Sequence, residues 1–202
     1  MLVAVDQSFA KIAENLTNPP DFLAAFMLIR SHTGFRGACR MAASGQVPET
    51  FPLLRSCIEY ALYALHINAK PALGEVWMRR HDNEETLRAC RTSFKHASVI
   101  DTLKRRDAKL HKTIALLYER TIDFGGHPNE RAMTGNVRLT ESKDGSTFST
   151  AYLHGDALSL DHAIKTTAQI GLGSLITFEH IFKGRFRLLG IDIELQKLRS
   201  VL

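Results

Sequence analysis

Residues 51–67, "FPLLRSCIEYALYALHI", restrict the fold more than any other stretch of this chain. The spacing is helical and the segment is nearly all apolar. At about 100° per residue, Leu54, Ile58, Ala61 and Leu65 fall on one face, and Arg55, Glu59 and His66 lie within about 40° of one another beside it. Arg55 and Glu59 are i,i+4 neighbours and can pair. Such a polar stripe cannot face solvent along its whole length, so it should meet polar partners on another helix. The preceding segment offers His32, Arg36 and Arg40 at spacings of four, and Glu59 is expected to be neutralised by Arg36 or Arg40. A buried ion-pair network that fixes helix register accounts for these residues, and so does a binding or catalytic pocket.

Stops and caps divide the rest into helices. Residues 3–16 are amphipathic, and "NPPD" (18–21) ends them and caps the next helix through Asp21. That second helix runs over about 21–44, to Ser44-Gly45. "QVPET" opens the third at about 49–69, and Lys70-Pro71 closes it. A shorter helix over 71–81 carries Trp77. Two more cover about 83–103 and 106–123, with a break near "KRRD". "VRLTESKDGSTFSTAYLH" (137–154) changes to period-two alternation around Asp144-Gly145 and reads as a β-hairpin. Asp156 or Ser159 then caps a long helix reaching about 183, where Gly171, Gly173 and Ser174 permit close helix approach. "GRFRLLG" is a joint before a last helix, "IDIELQKLRSVL". The expected architecture is all-α: a single bundle of about seven helices in one domain over 1–202, with a hairpin insert near 137–154.

Composition excludes several classes. Hydrophobic residues at 45% and charged residues at 23% are ordinary for a globular chain and argue against disorder. The amino terminus interrupts its apolar pattern with Asp6 and Lys11, unlike a signal peptide, and no apolar run suits a membrane span. Cys39, Cys57 and Cys90 are odd in number and widely spaced, which fits free thiols in a cytoplasmic protein. Neither HExxH nor CxxC occurs, no GxSxG elbow is present, and "GLGS" (171–174) follows no strand. No cofactor is therefore called for. "HGDALSLDH" (154–162) gathers His154, Asp156, Asp161 and His162, but Asp156 serves better as a helix cap. A metal site assembled across helices would leave no local signature.

The net charge of +5 is concentrated. Residues 79–120 hold eleven Lys and Arg against six Asp and Glu, and the flanking segments balance. This stretch is either a phosphate-attracting surface or an ordinary solvated helix face. It ends in "LLYERTIDFGGHPNERA" (116–132). The helix leading into it turns Leu110, Ile114, Leu117 and Tyr118 to a buried face, and Gly125-Gly126 ends it. Arg120 and His127 either cap the helix end or act together on a phosphodiester. In the second case the imidazole moves a proton from a ribose 2′-hydroxyl while the guanidinium stabilises developing charge. Asp123 and Asn129 are placed to orient the ring or a substrate.

An all-helical chain with Arg-x6-His at a helix end, "RTIDFGGH", resembles the HEPN superfamily (higher eukaryotes and prokaryotes nucleotide-binding domains). The longer pattern, an Arg-x3-Glu helix (Arg55, Glu59) followed by a Tyr-x8-His segment (Tyr118, His127), is also similar to a bacterial helical branch. That likeness covers about 21–130. The resemblance implies an RNA- or nucleotide-binding module, often a metal-independent endoribonuclease acting as a homodimer. It would make His127 the acid–base group and Arg120 the phosphate contact; the substrate-binding candidates read from the residues themselves are Arg36, Arg55, Glu59, His66 and Asn129. Thr121 stands where the family usually has a polar Asn, Asp or His. Two other readings are a non-enzymatic interaction module and a small-molecule or metal pocket lined by Arg36, Arg55, Glu59, His66 and His127.

Overall fold

Helix α1 (Leu2–Glu14) turns Val5, Phe9 and Ile12 inward at spacings of four and three, and this buried stripe seats it on the bundle. The computed structural model describes residues 1–19, 21–143, 145–155 and 158–199. Asp21 caps α2 (Phe22–Ala43) by accepting the Ala24 amide at 3.1 Å. Helix α3 (Val47–Ala69) follows after a tight turn at Gly45, whose φ of +79° suits glycine. Next come α4 (Ala72–Met78), α5 (Glu84–Ser93), α6 (His96–Arg106) and α7 (Ala108–Thr121), which continues into a widened turn, Ile122–Gly126. Short α8 (Glu130–Thr134) leads to a hairpin of β1 (Val137–Ser142) and β2 (Gly145–Thr150). The chain returns through α9 (Leu158–Glu179), α10 (Lys183–Leu188) and α11 (Ile191–Arg199).

The all-α expectation with a hairpin insert holds, although eleven described helices replace about seven. The expected 83–103 helix is two. Phe94 turns into a cluster with Tyr63 and Trp77, at ring-centroid distances of 5.2 and 5.0 Å. The Ser93 carbonyl then receives the His66 side chain instead of a helical amide. "GRFRLLG" is not a bare joint, because most of it winds into α10 before Gly190, at φ +68°. Asp144 and the proposed cap Asp156 lie outside the described residues.

The hairpin is antiparallel, with Val137 opposite Thr150 and Leu139 opposite Phe148. Its alternation buries neither face: Leu139 and Phe148 are both exposed. The base is what holds it to the bundle. His154 donates its amide to the Gly45 carbonyl at 2.8 Å, while its ring bonds Asn136 at 2.5 Å and Ser159 at 3.2 Å.

At the centre, α3 is enclosed by α2, α6, α7 and α9. Phe51, Leu54, Cys57, Ile58 and Ala61 on α3 are fully buried. Small residues set the spacing. A Cβ at Gly34 would stand 3.3 Å from backbone atoms of Leu53 and Cys57, and one at Gly171 would strike the Phe35 ring and Val5. Ser31 donates to the Cys57 carbonyl at 2.8 Å, and Ser174 lies 3.5 Å from the Cys57 sulfur. Gly171→Ala should therefore cost about 1–3 kcal/mol through overpacking. Gly184→Ala, whose new methyl meets open space, should be neutral or slightly stabilising. Urea denaturation of both variants checks this, and equal stabilities would contradict the close packing.

Candidate functional site

Arg55 lies near the middle of α3, at the surface of the enclosed segment. Its Nε donates to Glu59 Oε1 at 3.0 Å, and its guanidinium sits 5.3 Å from the centre of the Tyr118 ring. Tyr118 comes from the buried face of α7, and its hydroxyl donates to the same Glu59 oxygen at 2.9 Å. Glu59 Oε2 takes no donor among the described residues. His96, at the start of α6, stacks on Tyr118 with centroids 3.9 Å apart. Burial and the neighbouring Glu59 carboxylate push the Tyr118 phenol up to about 12, so it remains a proton donor.

Arg55 also reaches the glycine loop. Its Nη1 donates to the Gly126 carbonyl at 3.2 Å, so the cation closing the end of α7 comes from α3. Gly125, at φ +151°, lies against the Pro48 carbonyl so closely that a Cβ there would overlap it. Pro52 explains why that carbonyl faces the loop. It has no amide to donate back to residue 48, so α3 leaves the position open. Asn129 holds the loop from the other end, donating to the Ile122 carbonyl at 2.8 Å and the His127 carbonyl at 3.0 Å while capping α8.

His127 is exposed beside this fixed loop. Its Nδ1 donates to the Pro128 carbonyl at 3.2 Å, since a carbonyl can only accept, which leaves Nε2 open. Arg120 occupies different surroundings. It is two residues from Tyr118, hence about 200° around α7, and it donates to Gln169 of α9 at 3.0 Å. It caps no carbonyl among the described residues. Its charge, after the larger effect of burial, holds His162 below the usual histidine range.

The structure does not gather the other candidates here. Arg36 does not meet Glu59: it grips Asp6 of α1 through two hydrogen bonds of 2.7 and 3.0 Å. Arg40 makes no ion pair among the described residues. The neutralising partner of Glu59 is instead Arg55, its own helix neighbour. His66 shares an angular sector with Arg55 but lies three turns away, about 16 Å along the axis. Its Nε2 donates to the Ser93 carbonyl at 3.1 Å, and Nδ1 accepts from Thr102 at 2.7 Å. Sequence reading missed Asp6, His96 and Gln169, all on segments whose only local signal is a polar residue in an amphipathic helix. Among the described residues, no group of three His, Cys, Asp or Glu is placed to hold a metal, and no helix is long and apolar enough to cross a membrane.

Burial lowers the pKa of His32, His66, His96, His162 and His180. Arg36, more than any other neighbour, holds Asp6 below the usual carboxylate range, so neutral His32 donates to a carboxylate at 2.6 Å. The unfolded chain binds these five histidine protons near pH 6.5, whereas the folded chain binds them only at lower pH. Their contribution to stability is complete above about pH 6.5 and is lost as the pH falls through the folded values. Urea midpoints should stay level from pH 8 to 7 and drop progressively from about 6.5 to 5. Asp6 loses its contribution only below about pH 4, and a midpoint unchanged down to pH 5 would refute the neutral histidines.

The chain matches no protein-family model, no curated protein and no solved structure.

Proposed function

We propose that this chain binds single-stranded RNA or a nucleotide where α3, α6 and α7 meet, in the manner of a HEPN-like domain. The observation that carries this reading is Arg55. Its partly exposed guanidinium lies over Tyr118, next to the stacked His96, and it fixes the loop from which His127 projects. Guanidinium and aromatic faces in one place suit the phosphate and base of a nucleotide. The surrounding field has the right sign. Among the described residues Arg91, Lys95, Lys104, Arg106, Lys109 and Lys112 make no ion pair, whereas Arg79, Arg88 and Arg105 are neutralised by neighbouring carboxylates.

In the catalytic form of this function, His127 Nε2 takes the proton of a ribose 2′-hydroxyl as that oxygen attacks phosphorus. The P–O5′ bond breaks, and a proton returns to the departing 5′-oxygen. Arg120, which donates to Gln169 in the free protein, is the phosphate contact in this form. Fluorescent single-stranded RNA in EDTA tests binding and cleavage together. Arg55→Ala should weaken binding roughly tenfold, with affinity falling steeply as salt rises. Cleavage, where wild type shows it, should be lost in both His127→Ala and Arg120→Ala. No binding at low salt would sink the proposal, and cleavage unchanged in His127→Ala would remove the catalytic role.

A second reading, a self-associating interaction module, is favoured by the outer face of α2. Phe22 (64% exposed), Phe26 (50%) and Ile29 (48%) form an open apolar stripe there, with the two rings 4.5 Å apart edge to face. Sedimentation should give a dimer that Phe26→Glu converts to monomer. A monomeric wild type would dispose of this reading.

A further inference from the structure

A groove of about 300 Å³ lies between α3 and α4, beside the Arg55 cluster and sharing Glu59 with it. Its α3 wall is Ser56, Glu59, Tyr60 and Tyr63, spaced as one face of a helix, and α4 with its end supplies Trp77 and Arg80. All three aromatic rings are half-buried. The Tyr63 and Trp77 rings meet edge to face at 5.1 Å. Arg80 lies over Trp77 at 5.1 Å, and Arg30 lies over Tyr60 at 5.6 Å. Two polar positions here are incompletely used. Arg80 Nε is buried with no acceptor among the described residues, and Glu59 offers Oε2 because both of its protein donors share Oε1. The groove thus combines π faces, guanidinium groups and one carboxylate oxygen in a volume at the small end for ligand sites.

A ligand that satisfies all three must be flat, present N–H donors at one edge and carry negative charge. Nucleotides have this form, and the carboxylate discriminates among their bases. Guanine turns two adjacent donors, N1–H and the N2 amine, toward an acceptor. Adenine and cytosine place a ring-nitrogen acceptor beside their amine, and uracil flanks its single N–H with two carbonyls, so each repels a carboxylate at that edge. We infer that the Tyr60–Tyr63–Trp77 groove binds a guanine base, stacked on its rings, with the base edge on Glu59 and the phosphate near Arg80. This rests on the nucleotide-binding reading above and gives it a base.

Trp77 is the chain's one tryptophan, so its emission reports directly on the groove. Titration with GMP should quench Trp77 saturably, at concentrations roughly tenfold below those needed for AMP, CMP or UMP. A guanine-containing RNA oligonucleotide should quench more tightly than its guanine-free counterpart. Glu59→Gln should abolish the preference. Arg80→Gln should weaken all four nucleotides roughly tenfold while guanine stays first, and circular dichroism should show both variants folded. Quenching without base preference would overturn the guanine assignment. RNA binding that leaves Trp77 emission unchanged would overturn the groove and spare the RNA reading. Quenching by GMP with no RNA binding would uphold the groove and discard RNA as its ligand. If Glu59→Gln fails to fold, an Arg80→Gln variant as tight as wild type still overturns the placement.

Discussion

The close approach of α2, α3 and α9 is the constraint from which the rest of the structure follows. Helices normally pack at about 8–10 Å, and the lower end requires small side chains at the crossing. Gly34 admits the backbone of α3 at Leu53 and Cys57, Gly171 admits Phe35 and Val5, and Gly173 admits Ile114. Glycine within a helix costs about 1 kcal/mol against alanine, so these positions are unfavourable for the isolated helices. Burial offsets that cost. Phe35, Phe51, Leu54 and Ile58 are fully enclosed because the glycines let the helices close around them.

An enclosed α3 dictates where its polar groups go. Arg55 and Glu59 keep only about a third of their side-chain surface in water, so the carboxylate gathers two donors, Arg55 and Tyr118, and the guanidinium finds a ring face and a carbonyl. That carbonyl belongs to Gly126, whose missing side chain leaves room for the Thr121 carbonyl, and the adjoining Gly125 fits against the Pro48 carbonyl for the same reason. The position of His127 is therefore a consequence of α3, although among the described residues its ring bonds no more than the adjacent Pro128 carbonyl and its own carbonyl is held by Asn129. Removing Arg55 would release two groups at once, a carboxylate and a helix end. The loop's geometry and the pocket's charge are linked through that single side chain.

The helices were legible because their stops are chemical. Asp21, Gly45 and Lys70-Pro71 each act where the sequence placed them. What escaped was information held in three dimensions. The helical wheel aligned His66 with Arg55 but ignores rise, and three turns carry His66 to Thr102 and Ser93. Arg120 and His127 are close in sequence, but Arg120 points to α9 because it lies two residues from buried Tyr118. The division between α5 and α6 was equally hidden, since Ser93 breaks the helix for a partner 27 residues away. The hairpin was readable from Asp144-Gly145 and its alternation, yet that alternation does not imply a buried face. Leu139 and Phe148 remain in solvent, and the contacts that tie the hairpin to the bundle among the described residues are those of His154 at its base.

The clustered charge acquires meaning from this arrangement. Residues 79–120 run from the end of α4 through α5 and α6 into α7, so the helices bearing the excess cations border both the Arg55 cluster and the Trp77 groove. Among the described residues, local carboxylates cancel Arg79, Arg88 and Arg105 but not the other Lys and Arg of this stretch, and the field that survives is long-ranged only at low salt. Such a field attracts any polyanion without choosing among them, because phosphate contacts carry no base information. Selection needs short-range groups with fixed orientation. Tyr118 fixes Glu59 Oε1, the aromatic cluster with Phe94 fixes Trp77, and α3 holds Tyr60 and Tyr63 at helical spacing. The same contacts that anchor α4 and α7 on the central helix therefore bring one carboxylate oxygen and three half-buried rings to one groove, and preorganised groups of this kind are what let a groove distinguish one planar ligand from another.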